Sequence, residues 1–131
     1  MRVLIADDQP DVRYAYHVLL RGRPGIEIVG EAKDAEEMLV KTLGTYPDVV
    51  LLDWELPGFN ENSHLYHLRR ALPGLVVIAL SGRSEASSKA LKAGADAFVS
   101  KVEPPENLLA AISNSSLFVP SATGRLLTST V

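Results

Sequence analysis

The stretch Asp48-Val49-Val50-Leu51-Leu52-Asp53-Trp54-Glu55-Leu56-Pro57-Gly58 runs an almost continuous apolar strand into a carboxylate. Unbroken Val and Leu lack the in-and-out alternation of a half-buried strand, so the run implies burial on both faces, as in a parallel sheet covered by helices. The same signature returns in Leu75-Val76-Val77-Ile78-Ala79-Leu80. Outward from these two runs, strand-like segments at 2–6, 26–32, 48–53, 75–81 and 97–100 alternate with segments of helical period at 10–20, 34–43, 63–72, 85–94 and 104–113. Five strand-then-helix units predict an α/β domain, with right-handed crossovers fixing most of its topology.

The remaining composition fits one such domain. At 131 residues the chain supports a single hydrophobic core, and 47% apolar with 22% charged residues is ordinary for a folded globular chain. The net charge of −3, with scattered basic residues, supplies no footprint for nucleic acid and no polybasic membrane patch. With no cysteine, disulfides, thiolate metal sites and cysteine nucleophiles are excluded. The apolar run near the N-terminus is too short for a signal-peptide core and no segment approaches a membrane span, so a cytoplasmic protein is expected.

Local punctuation agrees. Pro10 suits the first turn of a helix, Asp34 with Glu37 forms a capping arrangement, and Gly44 and Gly94 suit helix ends. Leu65, Leu68 and Leu72 recur at helical spacing as a core face, which turns Arg69 and Arg70 toward solvent. The domain is expected over 1–113, with 114–131, rich in Ser and Thr, as a tail or linker.

In an open parallel sheet, ligands bind beyond the carboxyl ends of the strands. Those ends carry Asp7 and Asp8, Asp53, Ser81, and Ser100 with Lys101. Any one of them could cap a helix or open a solvated loop, and Asp8 before Gln9-Pro10 is a case in point. Taken together they fit one chemistry. Crowded carboxylates raise one another's pKa, so a hard divalent cation is needed to keep them ionised, and Mg2+ takes oxygen ligands while bridging carboxylate to phosphate. A carboxylate beside that ion can act as a nucleophile toward phosphorus, with a lysine and a hydroxyl holding the phosphoryl oxygens.

These residues resemble the receiver domain of two-component response regulators, in particular the receivers that precede a LuxR-type DNA-binding domain. Val3-Leu4-Ile5-Ala6-Asp7-Asp8-Gln9-Pro10 is similar to the family's acidic pair, Asp48 to Gly58 to its acceptor strand, Val77-Ile78-Ala79-Leu80-Ser81-Gly82 to its hydroxyl strand, and Lys92 to Lys101 to its switch and lysine segment. The resemblance covers roughly 2–112. It implies a flavodoxin-like (CheY-like) doubly wound sheet of five parallel strands in the order 2-1-3-4-5, with five helices in a three-layer sandwich. It further implies that Asp53 accepts a phosphoryl group from a sensor histidine kinase or phosphotransfer protein. Asp7, Asp8 and Asp53, with the backbone carbonyl of Glu55, would hold Mg2+. Lys101 and Ser81 would hold the phosphoryl group, and Ser81 and Phe98 would switch a partner-binding surface. A homodimer through the fourth helix, fifth strand and fifth helix is a further implication, and two architectures are expected equally: a stand-alone receiver, or the N-terminal part of a longer regulator with output through a DNA-binding domain.

Four departures from the family pattern matter. Asn60 and Glu61 replace an Asp-Gly pair, so the loop after the third strand is expected to differ in shape or to lack order. Val102 replaces the proline that often follows the lysine, which predicts either a strained cis bond or a trans variation. Phe98 lacks the hydroxyl of a tyrosine, so packing alone would carry its signal. Glu55 and Arg83, two places after Asp53 and Ser81, are expected to pair across the entrance and restrict water. His17, His64 and His67 read as surface or packing residues and Trp54 as a lid against the next element.

Three other readings compete. A small aspartyl-nucleophile phosphatase of the haloacid dehalogenase type needs an acid two residues after the nucleophile, where Glu55 stands, and would turn over phosphate esters. A flavodoxin-like cofactor binder needs a phosphate loop after the first strand, which this chain lacks. A degenerate receiver would act as a binding module without phosphorylation.

Overall fold

The computed structural model describes residues 1–115. The tail expected over 114–131 lies outside those residues from 116 onward. Five strands alternate with five helices: β1 Arg2–Ala6, α1 Pro10–Leu20, β2 Glu27–Ala32, α2 Ala35–Thr45, β3 Val49–Asp53, α3 Glu61–Ala71, β4 Val76–Ser81, α4 Ala86–Ala93, β5 Ala97–Ser100 and α5 Pro105–Asn114. All sheet pairings are parallel and the order is β2-β1-β3-β4-β5. The chain therefore adopts the expected doubly wound, CheY-like sandwich.

Strand periodicity builds the two cores. Successive side chains of a strand point to opposite faces. Val3, Ile5, Val49, Leu51, Val76, Ile78 and Leu80 pack with Leu20 of α1 and with Leu108 and Ile112 of α5. Leu4, Ala6, Val50, Leu52, Val77 and Ala79 pack with Met38 of α2, Leu65 and Leu68 of α3, and Ala86 and Ala90 of α4. Every residue of β3 and β4 is buried, which is why their sequences show no alternation.

Helix ends follow the predicted chemistry with two changes. Pro10 occupies the first turn of α1, and Asp34 Oδ1 accepts the Glu37 amide at 2.8 Å while Glu37 Oε1 accepts the Lys33 amide at 3.0 Å. Gly94 ends α4 with φ +115°. Gly44, however, lies inside α2, and Tyr46 takes the left-handed terminal position at φ 50°. Arg69 does not turn to solvent: it bonds the carbonyls of Leu75 and Gly94 and the Asp96 carboxylate at 2.8 Å. A long side chain beside a core face can bend back to capture buried acceptors, and helical spacing alone cannot show it. Arg70 is exposed, beside the Tyr66 ring.

The loop after β3 is ordered by its own residues. Gly58 takes φ +79°, so no glycine is needed at position 61. Asn60 instead caps α3, its Oδ1 accepting the amides of Asn62 at 2.9 Å and Ser63 at 3.2 Å. Among the described residues every peptide bond is trans, the Lys101-Val102 bond included. No helix among them is long and apolar enough to cross a membrane.

Candidate functional site

β1 and β3 are hydrogen-bonded neighbours, with Ala6 opposite Leu52, so the carboxylates that follow each strand meet at one rim. One carboxylate oxygen from each of Asp7, Asp8 and Asp53 lies within 4.8 Å of the others. Asp7 and Asp53 are buried and Asp8 is exposed, which leaves the cluster open on one side.

Lys101 reaches in from the end of β5. Its Nζ donates to Asp7 Oδ2 at 2.7 Å and lies 3.4 Å from Asp53 Oδ1. Its backbone amide donates to the Ser81 carbonyl at 2.8 Å, which fixes the root of that side chain to β4. Burial opposes charge on the ammonium, but the hydrogen bond to Asp7 and the charges of Asp53 and Asp7 outweigh it and raise the lysine's pKa. Lys101 therefore stays charged.

The Glu55 amide donates to the same Asp53 oxygen, Oδ1, at 3.0 Å. Burial raises the pKa of Asp53, and the nearby charges of Asp7 and Glu55 add to that, while the Glu55 amide and Lys101 act the other way. A buried carboxylate among other acids is favoured in its ionised form by a nearby cation, and Lys101 is one such cation. The donor set suits Mg2+: hard oxygens from three carboxylates, one of them open to solvent.

Ser81 ends β4 fully buried. Its Oγ accepts the Arg83 amide at 3.0 Å and donates toward both carboxylate oxygens of Glu55, at 3.0 and 2.9 Å. The expected pairing of Glu55 with Arg83 is not formed. Glu55 engages Ser81, and the exposed Arg83 guanidinium lies 4.0 Å from Glu85. A buried hydroxyl needs an acceptor, whereas an exposed ion pair contributes little, so the hydroxyl takes the carboxylate.

Phe98 on β5 is partly buried against the cluster that contains Ala86 and Ala90 of α4. Trp54 is buried and meets Phe59 edge-on at 5.0 Å, so it packs under the next loop as expected. The histidines do not converge: His17 bonds Glu31, His64 stacks on Phe59 and His67 meets Tyr66.

Two residues escaped the sequence reading. Arg13 donates from Nη1 to the Asp7 carbonyl at 2.7 Å and from Nε to Glu31 Oε1 at 2.8 Å, tying the acidic rim to β2. The Glu31 carboxylate, opposed by burial but bonded to His17 and Arg13, has its pKa lowered. The phenol of Tyr16 is pushed up by burial and by the charges of Asp7 and Asp53. Both stand on α1, at positions whose neighbours only the folded chain specifies.

The doubly wound parallel sheet thus gathers three acids, a buried hydroxyl and a lysine at its carboxyl rim. The chain belongs to the response regulator receiver domain family, whose model matches residues 3–113. It is 38% identical over 112 residues to the nitrate/nitrite response regulator protein NarL of Escherichia coli K12, covering 84% of this chain and 52% of that protein. It resembles the crystal structure of a LuxR-family two-component response regulator from Aurantimonas sp. SI85-9A1, with TM-score 0.77, 34% identity and coverage of 86% and 81%. It also resembles the response regulator domain of Thermotoga maritima CheB, with TM-score 0.76, 28% identity and coverage of 87% and 94%. The chain spans about half the length of the NarL-type relatives it matches.

Proposed function

We propose that this receiver domain takes a phosphoryl group onto Asp53 from a phosphohistidine donor, a sensor histidine kinase or phosphotransfer protein, and thereby switches a partner-binding surface. The observation that carries the reading is Lys101 Nζ placed 2.7 Å from Asp7 and 3.4 Å from Asp53 at the edge of the three-carboxylate cluster. In the transfer, an Asp53 carboxylate oxygen forms a bond to phosphorus as the donor's P–N bond breaks. The bonding pair leaves with the imidazole, which regains a proton. Asp7, Asp8, Asp53 and the Glu55 carbonyl would hold Mg2+, which would supply charge neutralisation for the phosphoryl oxygens. Lys101 pairs with one of those oxygens, and Ser81 donates to another once its hydroxyl turns from Glu55.

Exposed Tyr14 and Val18 on α1 and Val102 after β5 offer apolar contact for a donor protein. Leu91 on α4, also exposed, supports a homodimer face formed by α4, β5 and α5. The domain acts as a signalling module whose own chemistry is confined to Asp53, with 1–113 as the working unit. The phosphatase alternative has less support, because the acid it requires, Glu55, already accepts the Ser81 hydroxyl.

The test is incubation of the full chain with Mg2+ and acetyl phosphate, followed by intact mass measurement. Wild type is expected to gain one phosphoryl group, and neither Asp53→Asn nor wild type stripped of metal with EDTA should gain it. An adduct on Asp53→Asn, or none on wild type, would overturn the reading.

A further inference from the structure

The exposed acid two residues after Asp53 is tied to a buried hydroxyl across the sheet. Glu55 brings both carboxylate oxygens to within 3.0 and 2.9 Å of Ser81 Oγ. A serine hydroxyl carries one hydrogen. Its lone pairs are also partly committed, since Oγ accepts the Arg83 amide at 3.0 Å. Ser81 can therefore serve Glu55 or a phosphoryl oxygen on Asp53, but not both.

We infer that Glu55 is a positioning residue that latches Ser81 in the unphosphorylated arrangement and so brakes both phosphorylation and switching. This rests on the phospho-acceptor reading above. The Glu55 amide bonds Asp53 Oδ1 at 3.0 Å, so the latch and the acceptor share one short stretch of backbone. A phosphoryl group would carry about −1.5 to −2 of charge, by analogy with phosphoserine, in place of the single negative charge of the Asp53 carboxylate, and would repel the Glu55 carboxylate while offering more acceptor oxygens to Ser81. The hydroxyl changes partner and Glu55 turns to solvent, where its exposure leaves it free to go. Arg83, bonded to Ser81 through its amide, stands at the start of the turn into α4, where the Ala86 amide donates to its carbonyl at 3.0 Å. Movement of Ser81 is thereby passed to that helix. The equilibrium between the two arrangements is shifted by the latch as far as its differential hydrogen bond allows.

The test compares wild type, Glu55→Ala, Glu55→Gln, Ser81→Ala and the Glu55→Ala, Ser81→Ala double variant. Rates of adduct formation are followed with Mg2+ and acetyl phosphate, alongside the Arg83 amide resonance of each unphosphorylated protein. Glu55→Ala should phosphorylate about tenfold faster than wild type, the scale of one hydrogen bond to a charged group. Glu55→Gln keeps an acceptor oxygen and should gain less than about threefold. In the Ser81→Ala background the Glu55→Ala gain should vanish, and the Arg83 resonance, which Ser81→Ala itself moves by removing the amide's acceptor, should differ between wild type and Glu55→Ala but not between Ser81→Ala and the double variant. An equal gain in both backgrounds overturns the latch alone, because Glu55 would then act on the incoming donor by charge. No adduct on wild type overturns the phospho-acceptor reading itself and removes the latch's role with it.

Discussion

Helices α2 and α4 cover the same face of the sheet, yet they are gripped differently. α2 is capped by Asp34 at its start and drives Met38, fully buried, into the core. α4 has no side-chain cap at its N-terminus and buries only the small side chains of Ala86 and Ala90. Its C-terminal end is held from outside, because Arg69 of α3 bonds the Gly94 carbonyl at 2.6 Å and Asp96 at 2.8 Å. A helix anchored by packing along its length resists displacement. One anchored by a clamp at its far end, with alanines beneath it and a Lys89–Glu61 pair along it, has less packing to hold the end nearest Ser81. The difference separates a firmly packed part of the face from one with fewer buried apolar contacts, where local opening costs less.

The clamp is the place where this comparison breaks most easily. Arg69→Ala would remove the guanidinium that meets the nearly buried Asp96 at 2.8 Å, with the Val77 amide still on the same oxygen, and should lower unfolding free energy by about 2–3 kcal/mol. Urea denaturation measures that loss, and amide hydrogen exchange should quicken in α4 before it quickens in α2. Equal acceleration in both helices would show that Arg69 supports the whole face rather than one end of α4. Met38→Ala tests the other side, with an expected loss of about 2–3 kcal/mol from the cavity left under α2. Under the proposed function, phosphorylation of Asp53 by acetyl phosphate should persist in that variant, since Met38 belongs to the apolar cluster and not to the polar groups of the rim. The smallest effect sharpens the contrast within α2 itself. Thr42 is fully buried and its hydroxyl has no hydrogen-bond partner among the described residues, so Thr42→Val should leave stability unchanged or raise it by up to about 1 kcal/mol, read from the same urea curves.

Much of the site was legible because strand ends are marked in sequence. An apolar run that stops at a carboxylate announces both a buried strand and the rim where it ends, and the order of these runs placed Asp7, Asp8, Asp53, Ser81 and Lys101 on one side of the sheet. What escaped were side chains whose partners are distant in sequence. Arg69 was read as solvated because its helical position lies at the margin of the leucine face, and only the approach of Gly94 and Asp96 supplies its acceptors. The expected pairing of Glu55 with Arg83 comes from the resemblance, in which the positions two places after Asp53 and Ser81 flank the mouth of the site. Burial decides otherwise, since Ser81 must find an acceptor and Arg83 need not.

The amino-acid sequence by itself determined the α/β alternation, the burial of β3 and β4 on both faces, and the collection of acids, hydroxyl and lysine at strand ends. These follow from periodicity and from the rule that ligands meet parallel sheets at their carboxyl edge, both local or topological properties. Only the tertiary structure decided which polar groups share a hydrogen: Lys101 with Asp7, Arg13 with the Asp7 carbonyl, and Ser81 with Glu55. Those choices depend on distances of a few tenths of an ångström between segments far apart in the chain, and on which groups are denied water, so no local pattern encodes them.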